Sequence, residues 1–242
     1  MASDKKECFS RLELVTGEAM LERLGQTRVI IFGLGGVGSW CAESLVRSGI
    51  GHITLVDPDN VAPSNINRQL PAMTSTIGRP KVEVLADRFS DINPDIEVDI
   101  RVESYTSTSA QSFHIKDYDY VIDAIDSLAD KAALILECCS PESAPRRGFF
   151  SSMGAARKLD PLQIRTAEFW KVEGCPLARA LRTLFRRSDT YPKHKFTCVY
   201  SPERLEHRTE GTKGINGTFA PATAIFGNVL ASLILRKELS QA

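Results

Sequence analysis

The stretch Val29-Ile30-Ile31-Phe32-Gly33-Leu34-Gly35-Gly36-Val37-Gly38 decides the fold. Four consecutive apolar residues read as a strand buried on both faces, and the glycines after it give way to an apolar-periodic helix over about 39–48. The pattern G-x-G-x-x-G at Gly33, Gly35 and Gly38 therefore lies between strand and helix, the context in which it has physical meaning. Glycine lets backbone approach a phosphate, and the first turn of the helix supplies unpaired N–H groups and the positive end of its dipole. A second apolar run at 52–57 completes a βαβ unit of about thirty residues, which favours a parallel, doubly wound sheet. Asp57 closes that strand 19 residues after Gly38, where an acid accepts hydrogen bonds from ribose hydroxyls.

Further along, a polar loop rich in Asn, Ser, Thr and Pro spans 58–80, and a loop of that length in a compact domain is more often functional than idle. The patterning then predicts a helix at 81–91, strands at 96–102 and 120–123, a helix at 128–139 and a strand at 147–151. Strands at 163–168 and 196–200 flank a basic helix at 177–187, and a last helix runs over 221–239. The expected class is α/β, a doubly wound Rossmann-like fold with a mostly parallel sheet and additional C-terminal strands and helices. No linker-like shift in composition divides the 242 residues, so one domain is expected.

Composition narrows the function classes. Hydrophobic residues make up 43% and charged residues 25%, with 11 Phe and two Trp, which excludes overall disorder. The 30 Lys+Arg balance the 30 Asp+Glu, and zero net charge alone argues against a nucleic-acid partner. By halves the balance dissolves: residues 1–121 hold 12 basic and 17 acidic side chains, residues 122–242 hold 18 and 13. The first residues carry acids and no apolar core, unlike a secretory or transit peptide, so a cytoplasmic protein is expected. Six cysteines at no C-x-x-C spacing read as reduced thiols. The apolar segment 218–235 contains Pro221, Thr223, Gly227, Asn228 and Ser232, so it reads as a core helix and membrane association is not expected.

The glycine loop does not choose between NAD and ATP; the residues after it do. Asp57-Pro58-Asp59 is followed by Asn65-Ile66-Asn67-Arg68-Gln69, Gly78-Arg79-Pro80-Lys81 and Asp123-Ala124-Ile125-Asp126-Ser127. An arginine, a lysine and an acid near a strand end form a set that polarises a triphosphate, with cations on the developing charge and a carboxylate for Mg²⁺. Hydride transfer needs no such set. Taken singly, Arg68 reads as a solvated loop cation and Lys81 as a surface lysine; their shared loop setting favours the phosphate reading.

On these residues, together with Ser64, the chain resembles the ThiF/MoeB/HesA superfamily, relatives of ubiquitin-activating enzymes that adenylate carboxylates with ATP and Mg²⁺. The resemblance implies that Gly36 touches phosphate, that Asp57 is the ribose acid, and that Asn65, Arg68 and Lys81 meet the triphosphate. Asp126 becomes the magnesium acid. Gly33, Gly35, Gly38, Asp59, Gln69 and Ser127 complete the implied nucleotide site. The family also brings an arginine across from the partner subunit. Arg11, in Phe9-Ser10-Arg11-Leu12-Glu13-Leu14, matches it, which implies a homodimer and a catalytic set of Arg11, Arg68, Lys81 and Asp126. The implied layout is one ThiF-type adenylating domain over 1–242, with an N-terminal segment 1–27, a nucleotide-binding core 28–150 and a substrate-facing part 151–242.

The second half points to a branch. Members that adenylate sulfur carriers hold zinc with paired C-x-x-C motifs, and a structural zinc needs four ligands. Here Cys175 and Cys198 stand alone and His194 and His207 do not complete a set, so no structural zinc is expected. Instead the motifs Ser151-Ser152-Met153-Gly154-Ala155 to Leu159-Asp160-Pro161, Pro176-Leu177-Ala178-Arg179-x-Leu181-Arg182 and Val199-Tyr200-Ser201-x-Glu203 resemble the tRNA threonylcarbamoyladenosine dehydratase branch. Two positions depart from it: Ala156 where that branch often has Gly, and Cys175 where Asp often precedes the proline. The branch implies ATP-dependent cyclisation of threonylcarbamoyladenosine in tRNA, with sulfur-transfer proteins as further partners. The basic cluster Arg179, Arg182, Arg186, Arg187, Lys193 and Lys195 is then the expected tRNA-binding surface. The alternatives are adenylation of a ubiquitin-like sulfur-carrier protein, and an NAD-binding dehydrogenase or nucleotide-binding module.

Overall fold

The computed structural model describes residues 7–205 and 216–240. Two helices that the patterning did not predict come first, α1 (Ser10–Thr16) and α2 (Glu18–Gln26). The apolar stripe of α2 is only Met20 and Leu24, both buried, too short for its period to stand out in the sequence. There follow β1 (Arg28–Phe32), α3 (Gly38–Val46), β2 (His52–Val56), α4 (Lys81–Ile92), β3 (Glu97–Arg101), β4 (Tyr120–Asp123), α5 (Leu128–Cys138), β5 (Gly148–Ser152), β6 (Arg165–Glu168), α6 (Pro176–Ser188), β7 (Thr197–Tyr200) and α7 (Ala220–Leu239). Each predicted element is present, with ends shifted by two residues at most.

The strands form one sheet in the order β3-β2-β1-β4-β5-β7-β6. All neighbours are parallel except β6, which pairs antiparallel with β7 at one edge. Because β1 pairs β2 on one side and β4 on the other, the winding reverses between β1 and β4. In open α/β sheets ligands bind in the crevice that this reversal leaves at the carboxyl ends of the strands.

Strand alternation sorts the apolar side chains into two layers. Val29 and Ile31 face a core built with Leu45, Val82, Leu85, Phe226 and Leu230, whereas Ile30 and Phe32 face one built with Leu134, Ile135, Leu181 and Phe185. Burial on both faces is why β1 is an unbroken apolar run. The helix α7 lies directly on α3: a Cβ at Gly227 would stand 2.4 Å from the carbonyl oxygen of Val37 and 2.8 Å from the amide nitrogen of Cys41. Its far end is fastened to β4, where the Glu238 carboxylate accepts from the Tyr120 hydroxyl at 2.5 Å and from Arg147 at 2.8 Å. Among the described residues no helix is long and apolar enough to cross a membrane.

Candidate active site

The carboxyl ends of β1, β2, β4 and β5, with the chain after β7, enclose a cleft of about 950 Å³. The glycine loop forms one wall. Gly33 has φ +87°, and a Cβ on Gly38 would lie 1.8 Å from the Gly33 carbonyl oxygen, so this turn closes only without side chains. Gly36 faces Arg68 and Thr223 of α7 across the loop, a Cβ there coming within 3.2 Å of each.

Asp57 is buried, and both its oxygens are engaged by the chain while keeping acceptor capacity. Leu34 N–H donates to its Oδ2 at 2.6 Å, Asp59 N–H to its Oδ1 at 2.9 Å, and Lys81 Nζ stands 3.4 Å away. Its carboxylate thus ties the end of β2 to the glycine loop. Lys81 is not a surface lysine: it is 3% exposed and donates to Asp59 Oδ2 at 2.8 Å. Arg68 Nη1 donates to Ser64 O and Asn67 Oδ1, both at 2.9 Å, and among the described residues it meets no carboxylate. The Arg68 carbonyl accepts from Trp40 Nε1 at 3.1 Å, which fixes the loop to α3. Asn65 uses its Oδ1 on the Ala62 N–H. Gln69 is buried in the cleft wall, and its Oε1 is an acceptor that meets no donor among the described residues.

Asp126 and Ser127 are exposed in the turn between β4 and α5, and both line the cleft. Asp123, three residues earlier, has a different role. It is fully buried, 2.8 Å from Lys131 Nζ, and it accepts from Ser151 Oγ at 2.6 Å and Ile125 N–H at 3.1 Å. Lys131 Nζ also donates to the Ile125 carbonyl at 3.0 Å. This buried pair braces the turn that presents Asp126. Lys131 was missed in the sequence because a lysine one turn into a helix reads as solvated, and its partner lies across a loop.

The opposite wall comes from Ser152 to Lys158, Pro176, Leu177 and Glu203 to Leu205; of these the sequence motifs flagged Ser152 to Ala156, Pro176, Leu177 and Glu203 without roles, and missed Arg157, Lys158, Arg204 and Leu205. Lys158 is buried and donates to the carbonyls of Ser201 and Glu203. Burial holds its amine below the usual lysine range, and the positive charges of Arg157 and Arg204 add to that, against Cys175 and Glu203. Arg157 adopts φ +57°, a left-handed backbone that costs a side chain-bearing residue about 1–3 kcal/mol.

The remaining expected site residues are dispersed. Arg11 is exposed on α1 and is not part of the cleft lining of its own chain. The helix α6 starts at the cleft with Pro176 and runs about 20 Å away from it, so Arg179 lies near the cleft while Arg186 and Arg187 lie at the far end. Lys193 and Lys195 precede β7, at the amino ends of the parallel strands, opposite the cleft. Arg182 points inward: its Nη1 donates to the carbonyls of Phe169 at 3.1 Å and Val172 at 2.9 Å, with the guanidinium over the Phe169 ring. Among the described residues no three His, Cys, Asp or Glu converge as a metal centre would require. His207 lies outside those residues.

The ThiF family pattern matches residues 9–241. The chain is 44% identical over 179 residues to the tRNA threonylcarbamoyladenosine dehydratase of Bacillus subtilis, covering 74% of this chain and 69% of that one. It is 39% identical over 237 residues to the enzyme of that name from Haemophilus influenzae, covering 91% and 89%. Among solved structures, it superposes on E. coli tRNA N6-threonylcarbamoyladenosine dehydratase, TcdA, in complex with ATP with a TM-score of 0.87 at 35% identity, covering 98% of this chain and 95% of that one.

Proposed function

The chain belongs to the ThiF family, and from that premise we propose that it dehydrates threonylcarbamoyladenosine in tRNA, using ATP to adenylate the side-chain carboxylate. The observation that carries the reading is the extent of the likeness: it runs through the second half of the chain, where carrier-adenylating and tRNA-modifying members differ, and covers 91% and 98% of the chain in the two longest comparisons above.

A carboxylate is a poor electrophile because oxide would have to leave. Attack of a carboxylate oxygen on the α-phosphorus of ATP forms the acyl-adenylate and expels pyrophosphate. The ureido group of the same side chain then attacks the acyl carbon, AMP leaves with the electron pair, and one proton is released; the nucleoside has lost one water. The nucleophile is already tethered, and proximity of this kind lowers the barrier without a protein nucleophile. That accords with the described cysteines, of which only Cys8 is exposed.

In this reading the backbone from Gly33 to Gly38 and the first turn of α3 cradle phosphate. Asp57 and Asp59 serve the ribose end, and Gln69 Oε1 offers an unused acceptor. Asn65, Arg68 and Lys81 stabilise the charge that develops on the α-phosphate. Mg²⁺ fits Asp126: magnesium retains water and is held by one or two carboxylates plus substrate phosphates, which asks no more than an exposed acid at the cleft, with Ser127 beside it. Bound there it would neutralise phosphate charge. Arg11 enters from the partner subunit of a homodimer. Residues 1–242 act as one adenylating unit, whose 151–242 part faces tRNA through Arg179, Arg186, Arg187, Lys193 and Lys195. A cytoplasmic setting is consistent with the free thiols, and the resemblance adds sulfur-transfer proteins as partners.

The test is direct. Incubation with ATP, Mg²⁺ and tRNA carrying the threonylcarbamoyl group, followed by digestion and mass spectrometry, should show that nucleoside lighter by one water. Its unchanged mass beside a live ATP pool refutes the proposal.

A further inference from the structure

Two cations at the cleft are unclaimed by the nucleotide site. Arg157 lies on the turn after β5 and Arg204 on the chain after β7; both are exposed and both line the cleft. Among the described residues Arg157 has no side-chain partner, and Arg204 uses its Nε on the Gly174 carbonyl at 3.3 Å and leaves its terminal nitrogens unused. Glu203, the acid next to Arg204, is committed: its Oε2 accepts the N–H groups of Leu159 at 2.9 Å and Asp160 at 3.1 Å.

Buried Lys158 holds the two segments together through the carbonyls of Ser201 and Glu203. With Lys158 turned inward, the left-handed backbone at Arg157 turns the neighbouring side chain out to the cleft wall. Two cations on one cleft wall that meet no carboxylate among the described residues are suited to an anion that arrives from outside.

We propose that Arg157 and Arg204 form a clamp on the phosphodiester backbone of the RNA strand beside the target nucleoside. This rests on the tRNA reading above and deepens it by assigning where the strand is gripped. Position selects the anion. The glycine loop follows β1, while β5 and β7 are two and three strands away in the sheet, about 10–15 Å at the usual strand spacing. The strands that carry them are thus set apart from the glycine loop and its phosphates. That placement suits the part of the substrate that stays at the rim, and planar guanidinium forks match phosphate oxygens.

The experiment measures tRNA affinity of wild type and the double variant Arg157→Ala/Arg204→Ala across a range of salt, with tRNA bearing the threonylcarbamoyl group and tRNA lacking it. The expected result is a loss on the order of tenfold or more for both RNAs alike, a salt slope shallower by about 1 for each cation removed, and unchanged ATP affinity. Arg157→Gly, which removes the guanidinium while relaxing the backbone, should lose RNA affinity without losing thermal stability. Unchanged RNA binding overturns the clamp. So does a loss confined to the threonylcarbamoyl tRNA, which would give the cations to the carboxylate, or an equal loss of ATP affinity, which would give them to the nucleotide. If wild type does not dehydrate the nucleoside, the underlying reading falls; if it does and the variants bind RNA as wild type, only the clamp falls.

Discussion

At the scale of single residues, Lys81 is the side chain whose environment decides most. Its ammonium is buried at the cleft between Asp57 and Asp59, where the proposed reaction has it exchange one carboxylate for a phosphate. Lys81→Met should slow dehydration by about two to three orders of magnitude, the usual effect of removing one group aimed at transition-state charge, read as kcat under saturating ATP. Glu43 governs acid stability. Burial opposes its ionisation, but hydrogen bonds from Arg88 and Arg47 outweigh that and hold the carboxyl below the ordinary glutamate range. A depressed folded pKa stabilises the fold above the unfolded value of about 4.3 and ceases to do so as pH falls through the folded value. Glu43→Gln should therefore flatten the loss of stability below about pH 4.3, followed by urea unfolding at stepped pH. Thiol chemistry should be equally selective. Cys41, Cys138, Cys139 and Cys198 are buried, and burial raises each thiol, Cys139 to about 12. Brief alkylation of the native protein should add one label, at Cys8, and the rest only after unfolding, as intact mass reports.

Between elements, the Asp123–Lys131 pair is the joint that matters. It connects β4, the turn carrying Asp126 and α5, with Ser151 of β5 as a fourth member. Lys131→Met leaves a buried carboxylate without its partner and should cost about 3–5 kcal/mol in denaturant unfolding, whereas adding Asp123→Asn should recover much of that loss. This joint also marks what the sequence could disclose. β1, the glycine loop, β2, the long loop and the end of β4 were legible because period and spacing are local signals, and Lys81 and Asp126, which line the cleft, could be found beside them. Lys131 and Lys158 were not, and Ser151 was visible in a motif without its role, because their meaning comes from partners on other elements. The basic run 179–195 was visible as charge. Its split between the two ends of the sheet was not, since that depends on which way α6 and β7 run, and the inward turn of Arg182 depends on the carbonyls of Phe169 and Val172.

For the molecule as a whole, the reversal of winding between β1 and β4 places the nucleotide on one side of the crevice and leaves the other side, towards β5 and β7, for a second reactant. The acidic half of the chain supplies β1 to β3 and the basic half β5 to β7, so the zero net charge averages two unlike parts of one sheet. The cleft also draws on a distant part of the chain. Gly227 lets α7 rest on the backbone of α3, and this contact sets Thr223 beside Gly36. Opening of α7 and loss of the nucleotide site are thereby one event, so a ligand that binds only the closed form must make opening rarer in proportion to its saturation. Amide hydrogens throughout α7 should accordingly exchange with deuterium more slowly once ATP is bound, including those near Ile234, several turns beyond Thr223 and outside the cleft lining. Unaltered exchange there would mean that the helix opens independently of the site it helps to build.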